Sequence, residues 1–156
     1  GGRIALVVTN ALADFSAFTG TNSAFGAAGG DTGGAGGAGT IYKQRAADRP
    51  GRGTVLVDNN KSGYTTDVPP GPPAITGEVN YASFHVTNAA TLRLTNNFTV
   101  GDIFVQSTNA WLNLGSNTLT VVMTSKHAIG PGSATNVTNY GEIVWGRVKG
   151  TILIIK

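Results

Sequence analysis

This chain of 156 residues has no cysteine, few charged residues and no long apolar run. The absence of cysteine excludes disulfide bonds and thiolate metal sites. Only 12% of the residues are charged, and the net charge of +3 comes without a long basic run, which argues against a nucleic-acid partner. No stretch approaches the roughly eighteen apolar residues that a membrane span requires. At this length we expect one domain with a real core.

Patterns typical of helices are also scarce, whereas strand and turn residues are abundant. The chain contains 23 glycines and is rich in threonine and asparagine. β-Branched residues favour strands, and glycine and asparagine accept the positive φ angles of tight turns. The composition therefore predicts an all-β protein.

A short unit of strand and turn recurs about every twenty residues in the second half of the chain. The alternating block at residues 90–94 is echoed at residues 110–114, and each leads through a polar turn into a second strand, 98–100 or 119–121. Such self-similarity is typical of coils that stack on one another. We predict a parallel β-solenoid, with a β-sandwich as the alternative because both folds use short strands and the same turns.

The alternation of apolar and polar residues predicts a one-sided core. The pairs expected on the core face are Leu92/Leu94, Ile103/Val105 and Leu112/Leu114, opposite Arg93, Phe104 and Asn113. Further strands are predicted at residues 4–8, 15–20, 40–43, 54–57, 83–86, 142–145 and 151–155.

Two segments interrupt the predicted strands of this single unit, residues 1–156. In the tract at residues 26–39, eight of fourteen residues are glycine, which indicates either a flexible loop or a place where backbones approach closely. The proline-rich run at residues 68–73 is the best candidate for an internal boundary.

The two terminal strands are apolar on both faces, so we expect protein rather than solvent to cover them. A solenoid needs polar caps, and neither end supplies one. The ends would then meet neighbouring repeats of a longer chain or identical subunits, unless both strands lie inside a closed sandwich. The predicted interface residues are Ile4, Leu6, Val8, Ile152, Ile154 and Ile155.

Several glycine-containing motifs resemble those of a known class of proteins. They are GGRIA at residues 1–5, GGAGTIYK at residues 36–43 and GTVLVDN at residues 53–59. These motifs, with the repeats at residues 84–122, resemble very large secreted bacterial surface proteins of the adhesin-like, right-handed parallel β-helix type. The resemblance implies a right-handed solenoid, an extracellular or cell-surface location and a structural or adhesive role, with no catalytic residue. Because the chain opens on Gly1 without methionine or a signal core, we expect a mature or excised piece.

Motifs for catalysis or cofactor binding are weak. The glycine tract lacks the Gly-Lys-Ser/Thr ending of a phosphate loop, and no Gly-x-Ser-x-Gly elbow is present. His85 and His127 have no acidic or histidine neighbour at ligand spacing, and His85 is predicted on the exterior. The eight acids are dispersed, so a polysaccharide lyase or hydrolase is the weakest of three hypotheses. We predict no enzyme, no cofactor and no metal.

The only basic cluster is Arg45, Arg49 and Arg52, with Asp48 inside it. Together with Trp111, which is predicted to face outward, these arginines make a glycan-binding adhesin fragment the second hypothesis. Three triplets match the glycosylation acceptor pattern, at Asn60, Asn97 and Asn136.

The leading hypothesis is a non-enzymatic extracellular structural subunit that assembles head to tail into a filament or surface fibre. Its partner would be itself, as a homopolymer, because contacts that do not close generate filaments and uncapped apolar strands favour such contacts. Exchange of a terminal strand would complete the sheet of a neighbour.

Overall fold

A computed structural model describes residues 2–27, 36–60, 65–67, 81–107, 109–122, 137–138 and 140–146, and these form strands and turns without an α-helix. The strands are β1 (Arg3–Val7), β2 (Thr40–Gln44), β3 (Thr54–Asp58), β4 (Thr65–Asp67), β5 (Ser83–Thr87), β6 (Thr91–Arg93), β7 (Phe98–Val100), β8 (Asp102–Val105), β9 (Trp111–Asn113), β10 (Thr118–Val121), β11 (Val137–Thr138) and β12 (Glu142–Trp145). The prediction of an all-β protein is confirmed.

The strands belong to three sheets. Sheet A has the order β1-β2-β3-β5-β8, sheet B the order β11-β9-β6-β4, and sheet C the order β12-β10-β7. Among the described strands every pair is parallel except β2 with β3, which are antiparallel. The parallel pairing typical of the predicted solenoid is thus found in the other described pairs, and this hairpin departs from it. The connection at residues 45–53 is too short for a crossover, which needs about a dozen residues or more.

From β5 onward the chain visits the sheets in the order A, B, C and then A, B, C again. Ser83 pairs with Asp102 in sheet A, and Thr91 pairs with Trp111 in sheet B. Phe98 pairs with Leu119 in sheet C. Paired residues are thus 19, 20 and 21 positions apart, so the two echoed sequence blocks lie in register on each other.

The core lies between the three sheets. Its largest fully buried side chains include Phe84 and Ile103 from sheet A, Leu92 and Leu112 from sheet B, and Leu119 from sheet C. The transfer of each of these side chains out of water stabilises the folded state by about 1.5–3 kcal/mol. The six residues predicted for the core face are all buried, whereas Arg93 is exposed and Phe104 and Asn113 are half-buried on the opposite faces.

The edge-to-face contact of Phe84 with Phe98 connects sheets A and C across this core, with ring centroids 5.8 Å apart. Aromatic pairs prefer this geometry because the positive ring edge meets the negative ring face. The core is therefore one continuous cluster rather than three separate layers.

The strand predicted at residues 15–20 does not form. The Asp14 carboxylate accepts hydrogen bonds from the backbone N–H and the hydroxyl of Ser16, and the backbone N–H of Phe18 donates to the carbonyl of Phe15 at 3.1 Å. Local bonds of this kind give the backbone an alternative to a sheet ladder, which is why the apolar alternation fails here.

The described ends of the glycine tract approach each other closely. A Cβ on Gly26 would lie only 1.6 Å from the carbonyl oxygen of Gly36, and the Gly36 N–H donates to the Ala27 carbonyl at 2.9 Å. Glycine is required there because no side chain fits between the two backbones. The predicted boundary at residues 68–73 and the predicted strand at residues 151–155 lie outside the described residues.

Candidate functional site

The first candidate site is the free side of β1, at one end of sheet A. Among the described strands β1 has one neighbour, β2, with Ala5 opposite Tyr42 and Val7 opposite Gln44. Tyr42 in turn lies opposite Val55. Because partners in register share a face, Ala5 and Val7 continue the face of the sheet that carries the core.

Burial along this face ends at β1. Val55 and Tyr42 are only 2% and 5% exposed, whereas Val7 is 48% exposed and Ala5 is also exposed. The outer edge of β1 presents backbone N–H and C=O groups, which are a template for another strand. In the part of the chain that the structure describes, sheet A therefore has an uncovered face at Arg3, Ala5 and Val7 beside an unpaired edge.

The predicted interface residues of the first strand lie on its other face. Ile4, Leu6 and Val8 are half-buried, and Ile4 pairs with the buried Ile41. A strand forms where the sequence predicts one, and the greater exposure lies on Ala5 and Val7. Ile152, Ile154 and Ile155 lie outside the described residues.

The opposite end of the stack is formed in sheet C by β12. The strands of sheet C stack in the order β7, β10, β12, and those of sheet A in the order β1, β2, β3, β5, β8. Both orders follow the chain, so β1 and β12 lie at opposite ends of the stack. Ile143 and Trp145 pack against the core, whereas Glu142 and Val144 are exposed. The two described ends therefore present different residues.

The second candidate site is the turn at residues 45–52, which connects β2 to β3. Two consecutive β-turns build it: the Asp48 N–H donates to the Arg45 carbonyl at 3.0 Å, and the Arg52 N–H donates to the Arg49 carbonyl at 2.9 Å. In the second turn Pro50 fixes its own φ, and Gly51 has a φ of 75°, which is the pattern of a type II turn.

A buried hydrogen-bond network supports this turn from below. The Tyr42 hydroxyl donates to Oε1 of Gln44 at 2.6 Å, and the same oxygen accepts from the Gly51 N–H at 3.0 Å. The Gly53 N–H donates to the Tyr42 hydroxyl at 3.3 Å. Because these groups satisfy one another inside the protein, they hold the turn in one conformation.

The predicted arginine cluster is divided by the structure. Arg45 is paired with Asp48, its Nη2 lying 3.0 Å from Oδ1. Partial burial opposes ionisation of Asp48, but hydrogen bonds from the Arg45 side chain and backbone N–H outweigh it and lower the pKa of this carboxyl. The positive charge of Arg45 is thus paired with Asp48.

The other two arginines line a cleft of about 250 Å³, together with Pro50 and Tyr81. The guanidinium carbon of Arg52 lies 5.1 Å from the centre of the Tyr81 ring, a cation–π contact. The predicted contact set omits Tyr81, which is distant in sequence from the turn. Pairing of β3 with β5 brings it there, since the Ser83 N–H donates to the Gly53 carbonyl at 2.9 Å.

Trp111 does not line this cleft. It lies on β9 in sheet B, half-buried, and alternates with the buried Leu112 as predicted for an outward residue. The predicted glycan contact that combined Trp111 with the arginines is therefore not assembled at the turn.

Other residues singled out in the sequence have structural contacts. His85 stacks on Phe104 on the outer face of sheet A, with ring centroids 4.6 Å apart. Asn97 is exposed, and its Oδ1 accepts the Thr118 N–H at 2.9 Å. Asn60 is exposed with a φ of 47°, while Asn136 and His127 lie outside the described residues.

Within the described residues, no group of three or more histidine and acidic side chains is placed to hold a metal ion. The same part of the chain contains no helix long and apolar enough to cross a membrane. Comparison with protein-family models, curated proteins and solved structures finds no match to this chain.

Proposed function

We propose that this protein is a non-enzymatic extracellular structural subunit, a right-handed parallel β-solenoid that assembles head to tail into a filament or surface fibre. The observation that carries the proposal is the open core face at β1, where Ala5 and Val7 continue a row of buried residues without being covered by the described chain. The extracellular location rests on the resemblance of residues 1–5, 36–43 and 53–59 to secreted surface proteins.

The order of the sheets supports the solenoid. Two successive passages through sheets A, B and C stack in register, with paired residues 19–21 positions apart. A fold of this kind buries the apolar face of each coil against the next coil. Its last coil is consequently left with an apolar face unless something covers it.

The proposed occupant of the β1 end is the opposite end of a second copy. A strand from that copy would pair with the free edge of β1 and cover Ala5 and Val7. Because the β1 and β12 ends present different residues, the contact is heterologous, and repeated contacts of this kind grow into filaments when they do not close into a ring.

Substitution of Val7→Asp tests the β1 end. A charge on an edge strand opposes pairing with another strand, so we expect this variant to remain monomeric where the parent protein forms filaments. Leu12→Asp is the matched control because Leu12 is 98% exposed and lies outside the strands. The measurements are electron microscopy and sedimentation velocity, with circular dichroism to show that both variants are folded.

A mixing experiment tests the head-to-tail arrangement. A chain that lacks residues 151–156 would lose the other end, as the sequence predicts, and would also be monomeric by itself. When the truncated chain is mixed with Val7→Asp, the truncated chain supplies the intact β1 end. The mixture should therefore form dimers but no larger assemblies. Monomers of the parent protein at all concentrations would contradict self-assembly and leave neighbouring coils of a longer chain as the cover for β1.

A further inference from the structure

The cleft beside the turn at residues 45–52 carries a second, independent inference. We propose that it binds the anionic group of an acidic sugar, a carboxylate or a sulfate on a single ring. The guanidinium groups of Arg49 and Arg52 would hold the anion, and Pro50 and Tyr81 would contact the carbon face of the ring. This role does not depend on filament assembly, because the cleft and the free edge of β1 use different residues.

The charge of the cleft is the first support. In the part of the chain that the structure describes, the one ion pair is between Arg45 and Asp48, so Asp48 is engaged away from the cleft arginines. Arg49 and Arg52 are both exposed beside a concave surface. Guanidinium groups bind planar oxyanions through two parallel hydrogen bonds, which makes two of them in one cleft an anion site.

The rigidity of the cleft is the second support. The type II turn around Pro50 and Gly51 is fixed from below by the Gly51 N–H bond to Gln44. The Tyr81 ring restricts Arg52 from the side. A ligand that meets groups already held in place loses less binding energy to ordering them, so a small contact can still be specific.

The size of the cleft selects the ligand class. About 250 Å³ lies below the usual range of pockets for drug-sized molecules, so one sugar ring is a better match than a larger cofactor. Two arginines are also too few for a nucleic-acid surface, which needs a stripe of basic residues along the backbone. Aromatic and proline side chains provide the apolar surface that a ring requires.

The test uses NMR titration of the monomeric Val7→Asp variant, in which the cleft is unchanged, with glucuronate, with glucose 6-sulfate and with neutral glucose. We expect glucuronate or glucose 6-sulfate to shift the signals of Arg49, Arg52 and Tyr81, whereas glucose should have no effect. The two anions distinguish a carboxylate site from a sulfate site. Because the cleft is open to solvent, binding should weaken as salt is added.

Substitutions localise the binding. Arg49→Gln and Arg52→Gln should each weaken it about tenfold, which corresponds to the loss of one charge-assisted hydrogen bond. Arg93→Gln is the matched control, since it removes the same charge from an exposed residue in sheet B. Tyr81→Phe should retain binding and Tyr81→Ala should weaken it, because the ring rather than the hydroxyl contacts Arg52.

Three outcomes would overturn the proposal. One is the absence of shifts at Arg49 and Arg52 with either anion, and another is an equal loss of binding in Arg93→Gln. The third is tighter binding of single-stranded DNA than of a uronate oligosaccharide of equal charge, which would indicate a general polyanion surface. Thermal unfolding of each variant shows whether lost binding reflects lost folding.

Discussion

Strands β1 and β5 lie in the same sheet, yet the faces that they turn toward the core differ in burial. In β5 the inward residues Phe84 and Val86 are fully buried, whereas in β1 the corresponding face is exposed at Ala5 and Val7. The strand β5 has β3 and β8 on its two sides, and β1 has only β2 among the described strands. Val7 and Val86 are the same residue type, so their difference in burial follows from the neighbours of each strand along the stack.

The largest expected difference between these two strands is in the free energy of unfolding that is lost when an apolar side chain is shortened to alanine. Phe84→Ala should lower the free energy of unfolding by about 3–5 kcal/mol, because it leaves a cavity and removes the contact with Phe98. Val7→Ala should lower it by less than about 1 kcal/mol, since Val7 is already half exposed. Urea unfolding of the monomer measures both values. Equal losses would show that β1 is as well packed as β5.

A smaller difference is expected between two asparagines. The side-chain amide of Asn117 donates to the carbonyls of Leu94 at 3.0 Å and Leu114 at 3.2 Å, and so connects one coil with the next. The side-chain Oδ1 of Asn10 accepts the N–H of Leu12 at 3.1 Å, at the surface. Asn117→Ala should cost about 1–2 kcal/mol and Asn10→Ala about 0.5 kcal/mol or less. Thermal unfolding compares the two variants. A larger loss of stability in Asn10→Ala than in Asn117→Ala would contradict the conclusion that the stacked coils are held more firmly than the surface near β1.

The smallest expected effect concerns the turn between β2 and β3. The folded pKa of Asp48 is lowered, so its ionisation stabilises the protein above the unfolded value near 3.9, and this stabilisation disappears as the pH falls through the folded pKa. Arg45 is largely exposed, so solvent screening limits the effect to about 0.5 kcal/mol.

Asp48→Asn isolates this contribution. The difference in stability between the parent protein and the variant should shrink toward zero as the pH falls from 5 to 2. This is the window in which carboxyl groups with ordinary or lowered pKa values titrate. The pKa of Asp14 is lowered as well, by hydrogen bonds from Ser16, but that group is unchanged in both proteins. A difference that does not vary with pH would mean that the Asp48 charge is not involved.

The sequence was most informative where local alternation and stacking agree. Leu92 and Leu112 were each predicted on the core face, and the structure pairs them in register. The failure at residues 15–20 has a local cause, because the Asp14 and Ser16 side chains satisfy backbone groups that a strand would have paired. The spacing of apolar residues does not show whether side chains will compete with a sheet for the backbone hydrogen bonds.

The candidate sites were predicted less completely. The basic turn was evident, but the ion pair that separates Arg45 from Arg49 depends on turn geometry, and the position of Tyr81 depends on the pairing of β3 with β5. At β1 the sequence indicated an uncovered strand. It could not identify the uncovered face, because a strand that is apolar on both sides leaves that choice to its partner.

The hairpin of β2 and β3 also has a kinetic consequence. Residues 41 and 56 pair within it across a short loop, whereas β3 must wait for residues 83–87 to gain its other neighbour. Closing the short loop costs less chain entropy, so we expect the hairpin to form first, during synthesis, and to offer β3 as a ready template. The later coils would then add in chain order, one onto the next.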